Sequence, residues 1–276
     1  MTELPFVAKK VNRVTVCELR ALCQATSPAP ERQTFTGWRL IRPVSIFFTR
    51  LLILTPITPN QITVISVFVF FSGLSLFIFQ IRLVDFLGVF LVYFSSVLDA
   101  CDGEVARFRR VQFPERPVSH VGALYVEPVS HDVQYGLMFL PLGYAGFLAS
   151  GSIWPLAFGV VAGTFKLLAR LLEHRYWLMT RGMALSPEEI AQLRKTLQER
   201  PLYRRLISWV KRNVYSSSGL IIPLLIATVM RHVDWYVIFY GISFLLWWIL
   251  IFLKQAVSLS QVTSVAGASS EPGSAD

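Results

Sequence analysis

Two stretches of this chain leave it little choice of environment. Residues 51–81 contain no charged side chain, and neither do residues 235–253. A helix rises ~1.5 Å per residue, so ~20 apolar residues cross the ~30 Å hydrocarbon core of a bilayer. The runs are continuous rather than alternating in polarity, which argues against a β-barrel. Only 16% of the 276 residues are charged, against about 25% in soluble domains, and mean hydropathy is +0.53. The chain reads as an all-α, polytopic membrane bundle.

Six transmembrane helices are expected, over residues 61–81, 83–107, 123–150, 153–176, 214–230 and 235–253. Ahead of them, residues 38–55 read as an interfacial amphipathic helix. Arg39, Arg42 and Arg50 interleave there with Trp38, Ile41, Ile46, Phe47 and Leu51. The Pro-Ile-Thr-Pro-Asn stretch from Pro56 to Asn60 ends that helix, and Asn60 is the expected N-cap of the first span. Three regions follow: a flexible cytosolic arm over 1–37, a membrane domain over 38–257, and a Gly/Ser/Ala-rich tail over 258–276 expected to be disordered. Between the fourth and fifth spans, Ser186-Pro187-Glu188-Glu189 is a capping box with proline at the first helical position. The helix it opens, to about Arg200, is expected in the cytosol.

The net charge is +9. No nucleic-acid-binding module accompanies it, so no nucleic-acid partner is expected. Lys9, Lys10, Arg13, Arg107, Arg109, Arg110, Arg175, Arg181, Arg204, Arg205 and Lys254 fall on the side that holds both termini, in addition to the basic connection that carries Arg116, whereas the other side shows only Arg82 and Arg231. That asymmetry places both termini in the cytosol. The first forty residues carry scattered charges and no apolar core of a signal peptide. The three cysteines, Cys17, Cys23 and Cys101, lack metal-ligand spacing, and Cys101 is expected to pack. His120, His174 and His232 show no ligand spacing either, and the Trp247-Trp248 pair reads as packing or lipid contact.

The chemistry concentrates where the second span meets the cytosol. Acids are costly near lipid, so their presence at a span end points to use. Asp99 and Asp102 are three apart and share one helix face. Gly103 allows close backbone approach to a ligand, Ala106 keeps that face uncluttered, and Arg107 offers a fork of donors to a phosphate. Two carboxylates begin a Mg²⁺ site, and further oxygen ligands are expected from the next span. Glu127 and His131 are four apart there, on one face if the helix is regular past Pro128. Asp99, Asp102 and Glu127 would then hold Mg²⁺ or Mn²⁺, with two ions expected, and His131 would serve as the base that accepts a hydroxyl proton. Asp132 points about 100° away and reads as a surface or supporting residue. Lys166 and Arg170 share a face of the fourth span's cytosolic half; together with Arg110 they either bind an acceptor phosphate or snorkel. Asn60 and Thr63 are expected to cap the first span.

The stretch Asp99-Ala-Cys-Asp102-Gly103-Glu-Val-Ala106-Arg107 resembles the D-x-x-D-G-x-x-A-R signature of the CDP-alcohol phosphotransferase family. Pro59-Asn60-Gln61-Ile62-Thr63 is similar to the P-N-x-x-T segment that opens the first span in that family. The second half of the signature, G-x-x-x-D-x-x-x-D, is altered: Ala123 or Gly122 stands at the glycine, Glu127 at the third aspartate and His131 at the fourth. The connection from Arg107 is also longer. Each change keeps a donor of the same role. The resemblance covers roughly residues 39–254. It implies metal-dependent transfer of a phosphatidyl-type group from a CDP-linked donor, such as CDP-diacylglycerol, to an alcohol, with release of CMP, in phospholipid synthesis. Gly103, Ala106, Arg107, Asn60 and Thr63 would contact the CDP and its phosphates. The acceptor stays open among glycerol 3-phosphate, serine, an inositol phosphate and other polyols, and the reading admits a homodimer. The competing readings are a transporter with an acidic cation site and a non-catalytic homologue that binds neither CMP nor metal.

Overall fold

The computed structural model describes residues 14–25, 34–113, 125–182 and 202–268. Among these, all regular structure is helical. Four helices are long and apolar enough to cross a membrane: Pro59–Phe79, Arg82–Gln112, Trp154–Tyr176 and Val233–Ala256. In chain order the α-helices are α1 (Val16–Cys23), α2 (Arg42–Leu52), α3 (Pro59–Ser75), α4 (Arg82–Gln112), α5 (Glu127–Leu137), α6 (Phe139–Ser150), α7 (Trp154–Gly182), α8 (Leu202–Asn213), α9 (Ile221–Met230) and α10 (Val233–Ala268). The backbone thus continues α10 past Ser258 to Ala268. His120, Arg116, Gly122, Ala123 and the capping box at Ser186–Glu189 lie outside the described residues.

Two of the expected spans take a different form. The third is divided into α5 and α6 at Met138. Pro141 explains the break, since it has no N–H to give the carbonyl one turn earlier. The fifth is a short apolar stretch, Ser218–Met230, because residues 214–217 remain outside the helix. Pro223 sits in its first turn, where a missing N–H goes unnoticed.

The start of the first span also differs from the sequence reading. Thr58, not Asn60, is the N-cap. Thr58 is extended and accepts from the Gln61 amide, while the Gln61 side chain accepts from the Thr58 amide at 2.8 Å. Pro59 then occupies the first helical position, which suits its fixed φ. Asn60 is one residue inside the helix and exposed.

Helices α3 and α4 form an antiparallel pair joined through Gln80, whose φ of 55° ends the first span in a left-handed turn. Their backbones touch at two glycines. A Cβ on Gly73 would lie 2.8 Å from the Gly88 carbonyl, and one on Gly88 would lie 2.7 Å from that of Gly73. Helices α7 and α10 form a second pair, with α6 against both. Their outward residues are large and apolar: Phe68, Leu83, Trp154, Phe239 and Leu250 are all exposed. Exposed apolar belts of this size suit lipid as the solvent.

The N-terminal segment packs against α4 from a third side. Part of the expected arm is the helix α1, capped by Thr15 and Glu18, with Leu19 and Cys23 buried. Arg42, expected in the solvent-facing stripe of the interfacial helix, instead turns inward. Its Nη1 donates to Glu104 Oε1 at 2.8 Å. The buried face of α2 therefore carries Ser45 and Thr49 beside Ile46, while Phe47 and Leu51 face outward. Cys23 donates its thiol proton to the Glu104 carbonyl oxygen. Burial and the Glu104 charge push that thiol up to about 12, so it stays protonated.

Candidate active site

The signature residues follow the apolar part of α4 on the same unbroken helix. A regular helix there presents Asp99 and Asp102 on one face. Asp102 is buried, and its Oδ2 lies 2.5 Å from the Thr63 hydroxyl of α3. The same hydroxyl is 3.1 Å from the Pro59 carbonyl. It has one proton to donate, and the closer carboxylate oxygen takes it. Thr63 thus ties the start of the first span to the signature. Gly103 has a second use beside close approach: a Cβ there would meet the Arg107 Nη1 at 3.3 Å. Its absence leaves room for the guanidinium to fold back along the helix.

Helix α5 brings the other half. It is regular from Glu127, because Pro128 falls in the first turn, so Glu127 and His131 share a face. The His131 Nε2 stands 3.8 Å from Asp99 Oδ1, and its ring stacks on Tyr135 with centroids 5.9 Å apart. Asp99 and Glu127 are the carboxylates whose charge acts on Asp102. Among the described residues, no three His, Cys, Asp or Glu side chains stand close enough to hold one metal ion. The two observations agree, since a charge acts over a longer distance than a coordination bond. The donor set itself fits a divalent cation. Asp99, Asp102 and Glu127 supply hard carboxylate oxygens, and their mutual repulsion is what a cation would offset.

A cavity of about 430 Å³ opens beside this site. Tyr135, Lys166, Arg170, Lys211, Tyr215 and Trp247 are among its lining residues. Lys166 is buried, donates to the Tyr215 carbonyl at 2.9 Å and lies over the rings of Tyr135 and Phe244 at 4.5 and 4.4 Å. It therefore does not snorkel to water. Arg170 pairs with Asp132 at 2.7 Å and also lies over Tyr135, which gives Asp132 its supporting role and shares the Arg170 charge. The other basic residues divide. Arg110 is exposed on α4 and does not line the cavity. Arg109 donates to the carbonyls of Thr55 and Ile57 at 3.2 and 2.7 Å, so it fastens the loop before α3 rather than standing at the mouth.

Three contributors escaped the sequence reading. Tyr135 links His131 to the cavity, and its only sequence signal is its place one turn after His131. Lys211 lies in α8 and Tyr215 just beyond it, with no motif to mark them.

Residues 56–124 match the CDP-alcohol phosphatidyltransferase family model. The matched stretch takes in Thr63 and all of Asp99 to Arg107, about a quarter of the chain, and ends before Glu127 and His131. No curated protein matches the chain.

Proposed function

We propose that this protein transfers a phosphatidyl-type group from a CDP-linked lipid, CDP-diacylglycerol by this reading, to an alcohol and releases CMP. The observation that carries the proposal is the Asp99/Asp102 pair within the matched stretch, with Asp102 held by Thr63 and His131 facing Asp99. Arg107, Gly103, Ala106, Asn60 and Thr63 are assigned to the donor's cytidine and phosphates. A divalent metal, Mg²⁺ or Mn²⁺, would be held by Asp99, Asp102 and Glu127 and would supply charge stabilisation at the diphosphate. His131 accepts the acceptor's hydroxyl proton, and its stack on Tyr135 holds the ring in place. Lys166 and Arg170 face the cavity where the acceptor's own anionic group would sit, which favours a phosphorylated acceptor.

In this reading α5 and α6 together make the third span and Ser218–Met230 the fifth. Six spans would put both termini on one side, and the excess of Lys and Arg on that side supports reading it, with the active site, as the cytosolic face. The outward Phe47 and Leu51 of α2 rest in the membrane interface. Donor tails stay in lipid while the headgroup meets the carboxylates.

The test is CMP release by purified protein from CDP-diacylglycerol, with glycerol 3-phosphate, inositol phosphate, serine and free polyols offered in turn. Turnover is expected with a phosphorylated acceptor, is lost in EDTA and returns with Mg²⁺. Asp102→Asn is expected to abolish it. Full turnover in EDTA refutes the metal role, and the absence of CMP release with every acceptor refutes the reading.

A further inference from the structure

Glu104 lies between Gly103 and Ala106 of the signature, and its side chain is completely buried. Four side chains of the N-terminal segment converge on its carboxylate. Gln24 Nε2, Arg42 Nη1 and Ser45 Oγ donate to Oε1 at 3.0, 2.8 and 2.8 Å, and Thr49 Oγ1 donates to Oε2 at 2.6 Å. The same segment also grips the α4 backbone and a neighbouring side chain. Arg42 Nη1 reaches the Ala100 carbonyl, Cys23 donates to that of Glu104, and Cys101 donates to that of Ser45. A buried acid so fully supplied with donors has one defined position.

Helical residues two apart point about 200° from each other. Asp102 therefore faces α3 while Glu104 faces α2, within the same turn. Thr63 holds the front of that turn and the N-terminal segment holds its back. Side-chain tips on a helix lie about 5–6 Å from its axis, so a rotation of about 20° would carry the Asp99 and Asp102 carboxylates about 2 Å. Misplacements of about 1 Å can cost about a hundredfold in rate.

We propose that Glu104 is a positioning residue: through Gln24, Arg42, Ser45 and Thr49 it fixes the rotation of α4 that aims Asp99 and Asp102 into the site, making the N-terminal segment part of the catalytic unit. The inference rests on the proposed function for its effect on turnover, but the geometry it claims is measurable without substrate.

The experiment uses the full chain in detergent. The first readout is the rate of disulfide formation between Thr63→Cys and Asp102→Cys, with Cys17, Cys23 and Cys101 replaced by serine. It compares Glu104 with Glu104→Gln, and Thr49 with Thr49→Val. The second readout, in the otherwise native chain, is kcat and KM for the CDP-lipid. Glu104→Gln should slow cross-linking at least fivefold and lower kcat at least tenfold with an unchanged size-exclusion profile. Thr49→Val should do the same more weakly, and Thr49→Ser should restore both. If Glu104→Gln does not fold, the Thr49 pair decides alone. Unchanged cross-linking overturns the proposal, as does slowed cross-linking with wild-type kcat and KM. If wild-type protein shows no turnover yet the cross-linking rates differ as stated, the functional reading fails and the positioning of α4 by Glu104 stands.

Discussion

Replacing Thr63 by valine removes one hydroxyl and almost no volume, from a site that is buried on both sides. Thr63 and Asp102 are each less than a tenth exposed, so water does not replace the lost donor. A hydrogen bond to a charged group contributes about 1.5–3 kcal/mol. If the bond is needed to keep Asp102 aimed through the transition state, that energy is lost from kcat/KM, which is a roughly 10- to 150-fold fall. Valine adds no bulk, the Pro59 carbonyl loses no donor because the Thr63 proton goes to Asp102, and α3 keeps its capping box. Global stability should therefore change less than activity. The assay is CMP release at saturating and limiting CDP-lipid, beside a thermal melt in the same detergent. Thr63→Ser, which keeps the hydroxyl, should retain most of the activity. A Thr63→Val protein within twofold of wild type would show that Asp102 is held without Thr63. A Tm loss large enough to explain the fall in activity would assign Thr63 to packing.

Three further outcomes are expected. His131→Ala should remove most of kcat while CMP affinity, read by calorimetry, stays within about threefold; near wild-type turnover would move the base elsewhere. Lys166→Gln should raise KM for a phosphorylated acceptor more than KM for the CDP-lipid, and equal changes would refute a role in acceptor binding. Gly163→Ala should lower Tm, because the new methyl would run into the Gly136 carbonyl of α5 and overpacking of this kind costs about 1–3 kcal/mol; an unchanged melt would mean that α5 and α7 are free to part.

What could be read from the sequence followed from period and spacing. Asp99 and Asp102 at i, i+3 and Glu127 and His131 at i, i+4 needed only a helix to share their faces. The long apolar runs sufficed for the helices that span. The cap at Thr58 was legible in principle, since Thr58 and Gln61 make a capping box around Pro59, but the cluster of turn residues there offers several cap candidates. Glu104 was hidden for a different reason. Its partners Gln24, Arg42, Ser45 and Thr49 lie 55 to 80 positions away, and no local pattern reports a long-range pair. Arg42 was misread by the same omission: on an amphipathic helix an arginine looks solvent-facing unless its buried acid is known. Tyr135 and Tyr215 look like any aromatic residues of a membrane bundle until the cavity between them is seen.

The distribution of polarity inside the bundle bears on which kind of membrane protein this is. A transporter needs polar or ionisable groups along a path through the bilayer. Here the buried residues away from the signature end of α3 and α4 are Phe70, Leu74, Phe77, Val89 and Val92, and those of the other helices include Phe139, Leu142, Leu224 and Val237. The buried hydroxyls among them are already committed. Ser66 donates to Thr63, Ser95 to Val92 and Thr228 to Leu224, each to a carbonyl of its own helix. Among the described residues, these hydroxyls are not free to hand an ion or a polar solute across. Apart from Asp85 in its first turn, the acids of α4 and their partners gather at its signature end: Asp99 and Asp102 with Thr63 and His131 on one side, Glu104 with Arg42 on the other. An arrangement that is polar at one end and apolar beyond it suits a reaction between a lipid held in the bilayer and a solute arriving from water.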